Sequence, residues 1–126
     1  MAIVAGIVQK LKDMMEGRKK QIKEQIQDIT KKFILECLTS PQALSGKWNE
    51  NEVWWIKGFV DDTIHSKDFA ERCLAIINRY GSIELATYDL IGGGVYNSLP
   101  DSETSRGILE MVKLHLDEFG YKSKLF

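Results

Sequence analysis

The longest continuous pattern in the sequence is a proline-free stretch from Ala2 to Leu38, in which apolar residues recur three and four positions apart. This spacing puts them on one side of an α-helix and predicts a long amphipathic helix. Thr39, Ser40 and Pro41 end it, because proline disfavours helical geometry in the preceding residue and has no backbone donor. About 36 residues in a helix extend about 54 Å.

Gly17 is the one position at which this helix could break. Glycine costs about 1 kcal/mol inside a helix, and the basic run 18–20 suits a helix C-terminus, which favours a hairpin. A second helix starting in that basic run would lack a capping side chain, which favours a continuous helix. An eleven-residue apolar repeat keeps its phase across Gly17, and we therefore predict a continuous helix. The members of the repeat are Val4, Met15, Ile26 and Cys37.

A helix of this length does not fit inside the rest of the chain. A compact domain of 126 residues has a diameter of about 36 Å, so the helix is expected to project by roughly 15–20 Å. Its stripe is apolar to the N-terminus, and exposed apolar stripes of that size are usually covered. We predict that residues near Val4, Val8, Leu11 and Met15 contact another chain, either a second copy or a different subunit.

The remainder of the chain predicts four further helices and one short turn after Pro41. The helix that starts after Ser82 is expected to end at Ile91, because Gly92-Gly93-Gly94 follows. No segment alternates with the period of a strand. The fold class is therefore predicted as all-α with about five helices, the long first helix packing on a small helical bundle. The expected parts of this single domain are the helix 1–38, the bundle 39–120 and the C-terminal tail 121–126.

Charge and composition exclude several classes of protein. Seventeen basic and eighteen acidic residues give a net charge of −1, so the whole chain has no electrostatic attraction to nucleic acid or anionic lipid. No apolar run approaches the roughly 18 residues of a membrane span, and the N-terminus lacks the order of a signal peptide. Cys37 and Cys73 lie in apolar helical patterns and predict reduced core thiols, a disulfide being the alternative. We expect a cytoplasmic protein, or one assembled in a particle made in the cytoplasm.

Two aromatic or apolar groups outside the first helix are candidate contact residues. Trp54 shares its side of the predicted helix with polar residues, so either another helix of this chain packs over it or it anchors an interface. Trp48 is expected to join it. The tail ends in Leu125 and Phe126, which we expect to bind a neighbouring subunit.

The residues that could carry chemistry form weak patterns. Asp61, Asp62 and His65 resemble an acid–base group, but no nucleophile stands at a suitable spacing, so a solvated helix end is favoured. The histidines and cysteines lack the spacing of a metal site. The three consecutive glycines lack the strand and lysine of a phosphate loop, which favours a hinge or tight turn. We expect no catalytic residue, no metal and no cofactor.

The charges are divided unevenly along the chain. Residues 1–38 hold eight basic and five acidic residues, a charge of +3, and the remainder holds nine and thirteen, a charge of −4. This asymmetry favours contact between a basic helix and an acidic body as readily as nucleic-acid binding. Lys10 and Lys12 beside the apolar stripe also leave a membrane-surface role open, which Asp13 and Glu16 weaken. The candidate nucleic-acid residues are Arg18, Lys19, Lys20 and Lys23.

No motif is specific to a family, so function is inferred from shape. The leading hypothesis is a non-enzymatic assembly subunit, such as a structural component of a viral particle or another complex, that contacts protein partners as an oligomer. The alternative is a small regulatory protein that binds nucleic acid or a host enzyme through the basic helix and Trp54. An enzyme built around Asp61 and His65 is the third hypothesis.

Overall fold

The computed structural model describes the backbone of residues 2–121 and the side chains of residues 6–121. In this part of the chain the fold is all-α, without strands, as the sequence predicted. Residues 2–121 form five helices of at least 14 residues and one four-residue turn of helix. They are α1 (Ala2–Leu38), α2 (Pro41–Leu44), α3 (Glu50–Thr63), α4 (Lys67–Tyr80), α5 (Ile83–Ser98) and α6 (Glu103–Glu118).

Helix α1 is continuous through Gly17, which confirms the prediction made from the eleven-residue repeat. No atom outside the helix lies within 4 Å of the position of a Cβ at Gly17, so tertiary packing imposes no bend there. Among the side chains that the structure describes in α1, those of residues 6–21 are exposed, and burial against the other helices begins at Ile22 and continues to Leu38. The C-terminal half of α1 contacts α3 and α5.

Helix α5 is the centre of the bundle, contacting α1, α3, α4 and α6. All residues from Leu85 to Val95 are buried, so this stretch of α5 has no solvent-exposed side. The expectation that this helix ends at Ile91 was wrong, because it continues through the three glycines to Ser98. A Cβ at Gly94 would lie under 3.0 Å from the Phe59 ring of α3. The glycines therefore allow a close approach between helices instead of forming a hinge.

Polar caps determine where the shorter helices begin. Side-chain oxygens of Ser66, Ser82 and Ser102 each accept a hydrogen bond from a backbone N–H of the first turn. The Asn49 side chain caps α3 in the same way. Helix α4 ends at Gly81, whose φ of 68° is the left-handed conformation that favours glycine.

Both thiols are free and buried, as predicted. Burial raises the pKa of Cys37 to about 12 and that of Cys73 to about 11, so both remain protonated at neutral pH. Among the described residues, no helix has the length and apolar character required to cross a bilayer.

Candidate functional site

The longest uninterrupted run of exposed residues in the part of the chain that the structure describes lies on the first half of α1. Every side chain from residue 6 to residue 21 is exposed, a length of helix of about 24 Å. This is longer than the predicted projection, because the bundle packs only on the part of α1 that follows Gln21. Five large side chains, 44 to 70% exposed, form one stripe that we call the N-terminal apolar face: Ile7, Val8, Leu11, Met14 and Met15.

The predicted contact residues Val8, Leu11 and Met15 all belong to this face. Val4 lies in α1, but its side chain is outside the described side chains. Leu125 and Phe126 also lie outside the described residues.

The charges around the N-terminal apolar face are ordered. At 100° per residue, Lys10 and Lys12 lie to either side of the line through Leu11, whereas Asp13 and Glu16 lie on the opposite side of the helix. The Gln9 amide donates a hydrogen bond to Asp13 on that polar side, over 3.0 Å. The face therefore has basic margins, and its acidic residues point away from it.

The basic cluster follows directly after the apolar face. Arg18, Lys19 and Lys20 are exposed and Lys23 is half-buried. Consecutive residues of a helix point about 100° apart, so these side chains surround the helix instead of forming one plane.

A groove lies at the other end of α1, where α1, α2 and α3 meet. We call it the Trp48 groove; its volume is about 280 Å³. Trp48 is buried in its wall, whereas Leu44 is 73% exposed. The residues that line it are Leu38, Ala43, Leu44, Trp48, Glu50 and Val53.

Trp48 does not join Trp54 on the surface, contrary to the prediction. Its ring occupies the space that Gly107 of α6 leaves open, and a Cβ on Gly107 would lie under 3.0 Å from that ring. Sequence reasoning missed this contact because the two residues are far apart in the chain. Their packing fixes the loop before α3 and thereby shapes the groove.

Trp54 is 45% exposed, so of the two alternatives the structure disfavours the one in which another helix of this chain packs over it. Its role as an interface anchor stays a prediction. Its indole Nε1 donates to Glu50 Oε1 over 3.4 Å, and these two residues lie on the same side of α3. Trp55 instead turns inwards and stacks on Phe59 with ring centroids 5.0 Å apart.

A larger cavity of about 440 Å³ lies between α3, α4 and α5, with Arg72 in its wall. The Arg72 guanidinium lies 3.7 Å from the carboxylate of Asp89, which is mostly buried on α5. Burial raises the pKa of Asp89, an effect that Arg72 and the Tyr121 phenol partly offset. The thiol of Cys73, which also lines the cavity, is protonated and is not a nucleophile at neutral pH.

His115 joins three helices. Its Nε2 lies 3.0 Å from Glu36 Oε2 of α1, and its ring stacks on Tyr88 of α5 with centroids 4.3 Å apart. Sequence spacing could not reveal this pair, since its members are 79 positions apart. The neighbouring thiol of Cys37 is held protonated by burial, so the cluster has no activated nucleophile and acts as a contact between α1 and α6.

The weak acid–base pattern in α3 is not assembled. Asp61 accepts a hydrogen bond from Gln27 over 3.1 Å and pairs with Lys57 at 3.7 Å, whereas His65 is exposed. Within residues 6–121, no three His, Cys, Asp or Glu side chains are grouped to hold a metal ion.

Comparisons with protein-family models, with curated proteins and with solved structures gave no significant match to this chain.

Proposed function

We propose that this protein is a non-enzymatic subunit of a larger assembly and that the N-terminal apolar face is its principal contact surface. The observation that supports this is the uncovered stretch of residues 6–21, with five large apolar side chains on one side of it. Contiguous apolar surfaces of this kind mark interaction sites on soluble proteins. A viral particle is one assembly to which such a subunit is suited, and cytoplasmic assembly is part of this proposal.

The energetics of α1 support a bound partner. A helix without tertiary packing is marginally stable in water, and Gly6 and Gly17 each cost it about 1 kcal/mol. Burial of the five exposed side chains would contribute on the order of 5 kcal/mol, enough to offset those costs. Contact with another chain therefore stabilises the projecting part of α1.

Sedimentation velocity tests this proposal. We expect the wild-type chain to sediment faster than a 14.4 kDa monomer and to do so increasingly with concentration. The double variant Leu11→Glu/Met14→Glu should be monomeric, because charged groups cannot be buried unpaired. Leu114→Glu on α6 is the matched control, since Leu114 is equally exposed but lies outside the face, and it should associate like the wild type. A wild-type chain that stays monomeric up to millimolar concentration would refute the proposal with a second copy as the partner of the face.

A second candidate is a regulatory protein that binds nucleic acid through the basic cluster, with Trp54 as a further contact. The exposure of Arg18, Lys19 and Lys20 favours it, and their distribution around the helix does not. Binding to duplex DNA or RNA would weaken steeply with salt, because phosphate contacts release counterions. The variant in which all three are alanine should then lose binding, whereas salt-independent or absent binding excludes this candidate.

A further inference from the structure

The N-terminal apolar face and the Trp48 groove lie at opposite ends of one rigid helix. Leu11 is 27 residues before Leu38, which lines the groove, so about 40 Å of continuous helix separates the face from the groove. A helix without a break cannot fold back to place its own face in its own groove. Any contact between the two surfaces must therefore join two molecules.

We propose that the Trp48 groove of one copy receives the N-terminal apolar face of a second copy, so that copies associate head to tail. This inference rests on the proposed function and specifies the partner. The lining of the groove is mixed: Leu38, Leu44 and Trp48 contribute apolar surface and Glu50 contributes a carboxylate. Leu44 is 73% exposed on one wall, whereas Trp48 is buried. Flexible Met and Leu side chains, such as those of the face, fill irregular apolar spaces of this kind.

The charges of the two surfaces are complementary. The apolar face has lysines at its margins and is followed by the basic cluster. Glu50, in the first turn of α3, lines the groove. Glu52 of the same turn accepts a hydrogen bond from the Ser102 hydroxyl over 2.9 Å, and Lys47 is the basic residue that precedes this turn. Trp54, held against Glu50, extends the border of the groove with an exposed aromatic ring. The division of charge between +3 in residues 1–38 and −4 in the remainder agrees with this pairing.

Pairing of two N-terminal apolar faces is disfavoured by the same charges. Parallel pairing would place the two basic clusters side by side. Antiparallel pairing would place each basic cluster against the first turn of the partner's α1, where the helix dipole is positive. The groove provides an apolar surface without either repulsion.

A head-to-tail contact uses two different surfaces, so each pair of copies still has one free face and one free groove. Such contacts close into rings or continue as open chains. The expected behaviour of the wild type is a concentration-dependent series of species larger than a dimer.

Complementation between two variants tests this arrangement. Leu11→Glu disables the face and Leu44→Glu disables the groove; both residues are exposed, so both variants should fold. By light scattering after size-exclusion chromatography, each variant alone should be monomeric. An equimolar mixture should form a species of twice the 14.4 kDa chain mass and no larger one, because one intact face and one intact groove remain. Leu114→Glu should behave like the wild type.

Three results would overturn the head-to-tail arrangement. If Leu44→Glu associates like the wild type while Leu11→Glu does not, the face binds a surface other than the groove, and the proposed function survives. If the mixture of the two variants remains monomeric, the two surfaces do not bind each other. If the wild type is monomeric and floats with vesicles of phosphatidylcholine and phosphatidylserine, the face binds anionic lipid instead.

Discussion

At the scale of single residues, the missing side chains of two glycines decide how closely the helices pack. Gly94 faces the Phe59 ring and Gly107 faces the Trp48 ring, and a Cβ on either would approach that ring to under 3.0 Å. Gly58 on α3 is also helical, but no atom lies within 4 Å of its Cβ position. Substitution of glycine by alanine should therefore lower the free energy of unfolding at Gly94 or Gly107 and raise it at Gly58.

We expect Gly107→Ala to destabilise the fold by about 1–3 kcal/mol, because overpacking displaces the Trp48 ring. Gly58→Ala, the matched control, should stabilise by up to about 1 kcal/mol through helix propensity. Urea unfolding followed by tryptophan fluorescence measures both changes. Equal stabilisation by the two substitutions would show that Trp48 does not pack against α6 as described.

Asp89 makes stability depend on pH. Burial raises the pKa of its carboxyl group, so the folded chain holds this proton more tightly than the unfolded chain does. Between the ordinary and the raised pKa the folded state binds more protons, and stability therefore falls as pH rises through that window. Above the window the charged carboxylate is a constant cost to the folded state.

Asp89→Asn should accordingly be more stable than the wild type at neutral pH, with a difference that shrinks as pH falls below the raised pKa. Urea midpoints measured from pH 4 to pH 8 test this expectation. Asp117→Asn, at an exposed carboxylate of α6, serves as the control for a general charge effect. A loss of stability at neutral pH would mean that the pairing of Asp89 with Arg72 outweighs its burial.

At the scale of helices, local sequence patterns predicted the position of a helix correctly where tertiary packing favoured the same helix. The periodic apolar residues located α3, α4 and α6, whose first turns are capped by Asn49, Ser66 and Ser102. The eleven-residue repeat predicted the continuity of α1. The end of α5 could not be predicted, because its glycines are tolerated for a tertiary reason, the close approach of α3. The contact of His115 with Glu36 depends equally on the arrangement of three helices.

Substitutions at Gly17 test whether the stability of the bundle is independent of the helicity of the first half of α1. Gly17→Pro should reduce helicity measured by circular dichroism, since proline costs about 3 kcal/mol inside a helix. At a protein concentration low enough for the wild type to be monomeric, the urea midpoint followed by tryptophan fluorescence should stay within error of the wild type, because residues 6–21 do not pack on the bundle. Gly17→Ala should raise helicity without moving that midpoint. A midpoint that falls together with helicity would show that this segment belongs to the cooperative core.

At the scale of the whole molecule, the long helix and its uncovered apolar stripe followed from the sequence, because both depend on length and periodicity alone. The Trp48 groove did not, since it requires α1, α2, α3 and Gly107 of α6 to be placed together. Of the two surfaces of the proposed interface, the predicted contact residues Val8, Leu11 and Met15 therefore identified only the N-terminal apolar face. For the Trp48 groove, the sequence indicated only Trp54, whose exposed ring lies beside Glu50 at the border of the groove.

Hydrogen exchange of the backbone amides of residues 6–21 tests the central claim, that another chain covers the N-terminal apolar face. An uncovered helix opens readily and exchanges fast, whereas packing at an interface protects its amides. We predict strong protection of this segment at high protein concentration, loss of that protection on dilution, and none in Leu11→Glu at any concentration. Fast exchange of residues 6–21 at every concentration of the wild type, beside a protected core in α5, would contradict the account.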